Sequence, residues 1–381
     1  MKEIKVAVLL SSGELFSPYY GGSVARWTYE VYRRTPAHVH PAIFGVPTDS
    51  EQRYALPFRT TSLWWLAKVF EHVPFARRYH ENVWLATLMP QIRHFDVIHV
   101  QNRVNWPPIL RHLGFRGKIV LHLHNGHLTH WTGPTLDKLA PFVDRTITCS
   151  NFIAEGFTGR SQAIARTTET IHNGVDINLF TPPKDPRQPK TVFFVGRIDD
   201  TKGVLPLVQA FEIVLARHPD AELIIGGSSG IAHHEETEYV RSISKLADRL
   251  KSERGARIHF PGYIDHDKEL PRYFQQATVC VVPSVWGEAF GMVNCEAMGC
   301  GIPVIGSGRG AIPEVLGDCG IIVADPEPIP LAEAICRLLE SPELQRSYSD
   351  RGRRRAVQLF DWNKIATQWT AMLLNLYGLE S

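Results

Sequence analysis

Two glutamates, Glu288 and Glu296, stand with seven residues between them in VVPSVWGEAFGMVNCEAMGCGIPVI, the stretch from Val281 to Ile305. The run Ala277 to Val282 reads as a buried strand bounded by Pro283. Ser284 to Gly291 is a loop of small residues that carries Glu288, and Glu296 falls on the first turn of a helix that opens near Asn294. Gly299 and Gly301 stop that helix, and Pro303-Val304-Ile305 begins another strand. The backbone amides of Phe290, Gly291 and Met292 thus arrive unpaired at a helix N-terminus, where the helix dipole also favours negative charge. Carboxylates repel phosphate, so acids beside an anion site are suited to accept hydrogen bonds from neutral hydroxyls. An anion next to a polyol describes a nucleotide-sugar.

Three further stretches carry compatible chemistry. Thr191 to Val195 reads as a strand, and Gly196-Arg197-Ile-Asp-Asp-Thr-Lys202-Gly203 follows it ahead of a helix. Arginine grips an anion with paired donors and lysine serves as a point charge, so this is a phosphate pattern. Near the start, strand Ile4 to Leu10 leads to Gly21-Gly22 and a helix from about Val24 to Arg34, and paired glycines let backbone approach a ligand closely. Strand Lys118 to Leu123 ends in His122-Leu-His124-Asn125-Gly126-His127, which puts His124 at a carboxyl strand end, where open parallel sheets bind ligands. Taken singly, each pattern also fits a plain structural role: surface acids, solvated cations, a turn, a core histidine.

Taken whole, PS-x-x-GE-x-FGM-x-x-x-EAM-x-x-G-x-PVI closely resembles the signature of the retaining GT-B glycosyltransferases of family 4, and GRIDDTKG resembles that family's diphosphate-gripping motif. The resemblance follows the chain in motif order and is most specific in residues 191–315. It implies an α/β fold of two doubly wound parallel-sheet, Rossmann-like domains facing across a cleft. An acceptor-side domain would occupy residues 1–180 and a nucleotide-sugar domain residues 190–360, with a helix in 361–381 crossing back to the first. Arg197, Lys202 and the amides of Phe290, Gly291 and Met292 would stabilise the departing diphosphate, with Gly21 and Gly22 against the phosphates. Glu296 would hold the ribose, Glu288 the transferred hexose, and His124 would orient that sugar. Gly262 and Tyr263 would meet the nucleobase, largely through backbone. The expected catalytic set is His124, Arg197, Lys202 and Glu288, with no metal and no cofactor beyond a UDP- or GDP-hexose donor.

Other motifs are assigned lesser roles. Ile171-His-Asn-Gly-Val-Asp176 resembles a strand-end turn that leads into the linker, and Thr181 to Pro189 holds four prolines, so the domain boundary is placed there. Asp265-His266-Asp267 spells the D-x-D of metal-dependent transferases but precedes a helix, where capping is the simpler role. Gly306-Ser-Gly308-Arg-Gly310 follows the wrong strand for a dinucleotide fingerprint and reads as a loop near the donor.

The chain of 381 residues is long enough for two domains, and 44% apolar with 21% charged residues is the balance of a globular protein. A net charge of +2 gives no indication of nucleic-acid binding. The charge is uneven: residues 1–180 hold 19 Lys and Arg against 13 Asp and Glu, and residues 181–381 hold 22 against 26, hence +6 and −4. The 6 cysteines form no C-x-x-C pair, which suits a reduced cytoplasmic setting, and no apolar run has the length of a signal core or membrane span. In residues 58–95, Trp64, Trp65, Phe70, Phe75 and Trp84 alternate with Arg59, Lys68, Arg77, Arg78 and Arg93. Two readings stand: helices packed on the sheet, or a patch (59–93) held on an anionic membrane at the inner face of the plasma membrane, suiting a lipid-linked acceptor. The function expected is hexose transfer to a hydroxyl of a glycan or lipid-linked saccharide in cell-surface polysaccharide or glycolipid synthesis. A nucleotide-sugar epimerase or hydrolase, or a non-catalytic binder, would use the same donor motifs.

Overall fold

The computed structural model describes residues 2–11, 14–19, 21–47, 49–60, 69, 79–184, 190–228 and 237–379. The chain divides into two compact units, residues 1–173 with 363–381, and residues 174–362. The division falls at Asn173 and Gly174, ahead of the proline-rich stretch in which the sequence reading placed it. A Cβ at Gly174 would come within 2.6 Å of the Trp362 ring, and Val175 N–H donates to the Phe360 carbonyl at 2.7 Å. The outgoing and returning segments are thus held together at the point where the chain changes unit.

The first unit is a seven-stranded sheet in the order β3-β2-β1-β4-β5-β6-β7. Its strands are β1 Ile4–Leu9, β2 Val39–Phe44, β3 Phe58–Arg59, β4 Val97–Gln101, β5 Lys118–Leu123, β6 Arg145–Thr148 and β7 Thr168–Thr170. All pair in parallel, and β1, β4 and β5 are near-continuous apolar runs because both faces of the sheet are covered. The described helices are α1 Ser23–Tyr32, α2 His80–Ile92, α3 Trp106–His112, α4 Gly133–Leu139, α5 Asn151–Thr158 and α6 Gln162–Ala165. Ser150 caps α5 by accepting from Ile153 N–H, as its sequence position indicates.

The second unit is a six-stranded parallel sheet in the order β10-β9-β8-β11-β12-β13. Its strands are β8 Thr191–Val195, β9 Glu222–Gly226, β10 Arg257–Gly262, β11 Val279–Val282, β12 Val304–Ser307 and β13 Ile321–Val323. Helices α7 Val204–Arg217, α8 Glu238–Arg254, α9 Leu270–Gln276, α10 Met292–Gly299, α11 Ile312–Leu316, α12 Pro328–Glu340 and α13 Pro342–Leu359 alternate with them. In each sheet the order reverses beside the first strand, between β1 and β4 and between β8 and β11. A doubly wound sheet opens a crevice at that reversal, at the carboxyl ends of its strands.

The last helix, α14 Trp362–Asn375, carries Trp369, whose ring lies fully buried in the first unit. It meets Trp27 edge-on at 5.0 Å and His99 at 4.3 Å. The same cluster holds His122 and His124, whose rings lie 3.9 Å apart. Tyr32 Oη lies 2.9 Å from His99 Nδ1, and His99 Nε2 lies 3.2 Å from His122 Nδ1. Burial holds all three imidazoles below their ordinary pKa, His124 at about 3. Three rings this close cannot share positive charge in an apolar setting, so they stay neutral.

That arrangement has a consequence for stability. Groups with pKa values lowered by folding bind fewer protons folded than unfolded, so stability is full above the unfolded pKa near 6.5 and falls as pH drops toward 3. At about 1.4 kcal/mol per pKa unit, His124 alone accounts for a loss of about 3 kcal/mol by pH 4.5, and His99 and His122 add to it in the same direction. The melting temperature, followed by circular dichroism, should fall steeply below pH 6, and His122→Phe should flatten that slope.

Candidate active site

Glycine brings the two inner strand ends of the second unit together. Gly203, at φ +69°, caps α7, and a Cβ there would lie 2.0 Å from the Pro283 carbonyl oxygen at the end of β11. The left-handed backbone and the close approach both demand glycine. Val285 N–H, two residues beyond, donates to the Thr201 carbonyl at 2.9 Å. The loops GRIDDTKG and PSVWGEAFG are therefore joined by backbone.

Their charged side chains meet. Lys202 Nζ forms an ion pair with Glu288 Oε1, and Ser284 Oγ donates to the same oxygen at 2.8 Å. Lys202 and Glu288 are both largely covered, whereas Arg197 is 59% exposed and reaches Asp199 at 3.2 Å. Asp199 in turn accepts from Thr201 N–H at 3.0 Å. The two cations of the motif thus have different surroundings: one held against the acid, the other extended into solvent.

Beyond Glu288 the chain turns through Gly291, φ +81°, into α10. Among the described residues the amides of Gly291, Met292 and Val293 have no hydrogen-bond partner. Asn294 is fully buried and both its backbone and side-chain N–H groups donate to the Gly291 carbonyl, at 3.0 and 2.9 Å, which fixes this turn. The unpaired amides at this helix start are those of residues 291–293, where the sequence pattern indicated 290–292. Phe290 supplies an anchor as well, its ring 2% exposed and edge-on to Phe360 at 5.6 Å. The loop after β12 lies on the backbone of Glu288: a Cβ at Gly310 would fall 2.2 Å from the Glu288 carbonyl, and Ala311 N–H donates to that oxygen at 2.8 Å.

Glu296 has a different environment. It is 4% exposed, and its Oε1 lies 2.8 Å from His266 Nε2. Asp265 closes the turn ahead of α9 by accepting from Asp267 and Lys268 N–H, at 3.1 and 2.9 Å; the N-cap of α9 itself is Glu269, with no side-chain cap, so the capping role expected of this D-x-D is replaced by a turn one step earlier. The middle residue of that D-x-D, His266, reaches the signature glutamate, and nothing in the spacing announces it. Gly262, φ +77°, ends β10, and Tyr263 beside it is 59% exposed.

In the first unit, the strand ends are occupied differently from expectation. Gly21 N–H donates to the Ser17 carbonyl at 2.9 Å. The Glu14 carboxylate accepts from Gly22 and Ala25 N–H, at 2.8 and 3.0 Å, so the start of α1 already holds an anion of its own. Burial raises the Glu14 pKa against the lowering effect of those two amides. Gly21 is required by packing: a Cβ would lie 2.3 Å from the Ser17 carbonyl. His124 Nε2 lies 2.9 Å from Gln101 Oε1, while Gln101 Nε2 donates to Thr28 Oγ1 at 3.1 Å. Thr28 commits its only proton to the Val24 carbonyl, so Gln101 must turn its oxygen to His124. Nε2 of His124 therefore carries the proton and Nδ1 the lone pair. His99 and Gln101 went unnoticed in the sequence, although two polar residues at period two in the apolar strand VIHVQ are a readable sign of a buried polar pair.

Of the aromatic-basic stretch, residues 61–68 and 70–78 lie outside the described residues, and with them Trp64, Trp65, Lys68, Phe70, Phe75, Arg77 and Arg78. Trp84 is 2% exposed and packs on Trp106 at 5.0 Å, so it is a core ring. Arg59 and Arg93 are exposed. No described helix is long and apolar enough to cross a membrane. One group of metal-capable side chains gathers among the described residues, His218, Cys336 and Glu340. Arg217 already engages both Glu340 oxygens, at 2.5 and 2.7 Å, which makes this a neutralised helix end.

Comparison with known proteins agrees with this geometry. Residues 177–355 match the model described as Glycosyl transferases group 1, and residues 20–179 match Glycosyltransferase Family 4. Spore coat protein SA of Bacillus subtilis is 30% identical over 309 residues, 74% of this chain and 78% of that protein. Phosphatidyl-myo-inositol mannosyltransferase of Mycobacterium tuberculosis is 33% identical over 221 residues, 54% of each chain. Among solved structures, sucrose-phosphate synthase from Thermosynechococcus elongatus superposes with a TM-score of 0.76 at 24% identity, covering 98% of this chain and 99% of that one. Anabaena Alr3699/HepE in complex with UDP and glucose gives 0.73 at 23%, covering 98% and 100%. With two parallel-sheet α/β units and both family models in sequence, the chain belongs to the GT-B glycosyltransferases, family 4 in its first half and group 1 in its second.

Proposed function

We propose that this glycosyltransferase moves a hexose from a nucleoside diphosphate sugar to a hydroxyl acceptor with retention at the anomeric carbon and without a metal ion. The observation that carries the reading is the meeting of Lys202, Glu288 and the unpartnered amides of residues 291–293 at the β8/β11 strand ends. A diphosphate offers Lys202 a stronger partner than Glu288. Drawing the lysine away leaves Glu288 to accept from sugar hydroxyls, with Ser284 holding one of its oxygens. The charge that grows on the leaving diphosphate is met by Lys202, by the exposed Arg197, and by the α10 amides. Glu296 holds the ribose. His124, neutral across the physiological range, orients the sugar and does not act as an acid. The anomeric carbon–phosphate oxygen bond breaks, the acceptor oxygen bonds to that carbon on the same face, and the acceptor proton passes to the leaving phosphate.

The donor is a UDP- or GDP-hexose and no other cofactor takes part; UDP is the nucleotide named for the Anabaena neighbour. The acceptor is a glycan or lipid-linked saccharide, a reading supported by the phosphatidyl-inositol acceptor in the mycobacterial relative's name. The protein works in the cytoplasm, and contact with an anionic membrane through 59–93 fits a lipid acceptor. Sedimentation with anionic vesicles tests that contact, and a protein that stays in the supernatant at low salt refutes it. An epimerase or hydrolase would convert the donor without an acceptor, so product analysis separates these activities.

Lys202→Ala and Arg197→Ala should each lower kcat/KM by roughly two orders of magnitude, with Lys202 the larger because it is the more buried cation. A chelator should leave turnover unchanged, and strict dependence on a divalent ion would refute the metal-free reading. In calorimetry, Glu296→Ala should weaken binding of the bare nucleoside diphosphate by about ten- to a hundredfold. Glu288→Ala should leave that binding unchanged or tighten it, because Lys202 loses its internal partner, while turnover collapses.

A further inference from the structure

We propose that His266 is the positioning residue that sets Glu296 for ribose recognition, and so governs the distinction between ribonucleotide and deoxyribonucleotide. The proposal rests on the donor reading above. Glu296 is nearly enclosed, and His266 is its only hydrogen-bond partner among the described residues. A glutamate has three rotatable side-chain bonds, and an enclosed carboxylate without a donor is costly. One donor on Oε1 removes that cost and fixes the plane of the carboxylate, leaving Oε2 to accept from a hydroxyl.

The imidazole is itself held on three sides. Asp267 Oδ1 lies 2.7 Å from Nδ1, the Phe180 ring stands edge-on at 5.2 Å, and Nε2 faces Glu296. Behind these, Arg353 Nη1 donates to the Phe180 carbonyl at 2.8 Å and the Gly299 carbonyl at 2.6 Å. Arg353 thereby ties the segment that carries Phe180 to the end of α10, the helix that carries Glu296. The Asp265 turn fixes the backbone of Asp267 and Lys268. Each contact of His266 is thus supported by a second one, as a group that must hold an acid within a few tenths of an ångström requires.

The ring geometry gives a discriminating set of variants. The amide nitrogen of glutamine overlies Nε2 of histidine and can still donate to Glu296, whereas that of asparagine overlies Nδ1 and can reach only Asp267. UDP, GDP and ADP are titrated calorimetrically beside dUDP, dGDP and dADP, with melting curves for every variant. The wild type should bind at least one ribonucleotide roughly tenfold or more tightly than its deoxy form. His266→Ala and His266→Asn should reduce that ratio to near unity, and His266→Gln should keep most of it. If the alanine variant fails to fold, the glutamine and asparagine pair decides. A wild type that binds none of the three ribonucleotides overturns the donor reading, and this proposal with it. A wild type that binds but treats ribo and deoxy forms alike, or variants that all keep the preference, overturns the proposal alone.

Discussion

The second unit depends on one close approach, Gly203 lying on the Pro283 carbonyl. Because only glycine tolerates both that contact and a left-handed backbone, the loop after β8 can sit directly on the end of β11. Everything chemical follows from that contact. It delivers Lys202 to Glu288 and joins Thr201 to the Val285 backbone, at the reversal of strand order where a doubly wound sheet opens a crevice. Any side chain at 203 would separate the loop after β8 from the loop after β11.

The charges of this unit are mutually compensated. Lys202 neutralises Glu288, His266 supports Glu296, and Arg197 reaches Asp199. A half-buried carboxylate or ammonium costs several kcal/mol unless it has a partner, so these pairs stabilise a site that would otherwise be a cluster of buried charge. They also make the site selective. A ligand gains only the difference between its own contacts and the ones it displaces, so whatever binds at Lys202 or Glu296 has to outcompete a partner already in place. The first unit solves a similar problem by neutrality: its three histidines are kept uncharged by burial and enclosed by Trp27 and Trp369.

Much of this was legible in the chain. Apolar strands alternating with helical segments indicate parallel sheets, and the strands after Asp96, Lys118, Thr191 and Glu222 fall where their β-rich runs do. The glycines that flank Lys202 and precede α10 mark backbone that must turn or approach closely, so the two loops that carry the site stand out. Gly21 and Gly22 show the limit of that logic. They look like a second phosphate loop, but Gly21 is needed to pack on Ser17 and the amide of Gly22 is taken by Glu14, eight residues earlier. A glycine pair reports close approach and does not say what approaches.

The legible part is therefore local: which residues are strand, helix and turn, and which short strings carry free amides, cations and carboxylates. Those properties depend on neighbours a few positions away, through periodicity, capping and the freedom of glycine. The pairings come from the fold. Lys202 with Glu288, His266 with Glu296, and His99 with His122 are separated by 86, 30 and 23 residues, and their contacts exist because parallel strands bring distant loops to one edge of a sheet. Charge compensation acts over a few ångströms of space whatever the distance along the chain. A linear pattern can name the charged groups, and the fold alone says which of them share an environment.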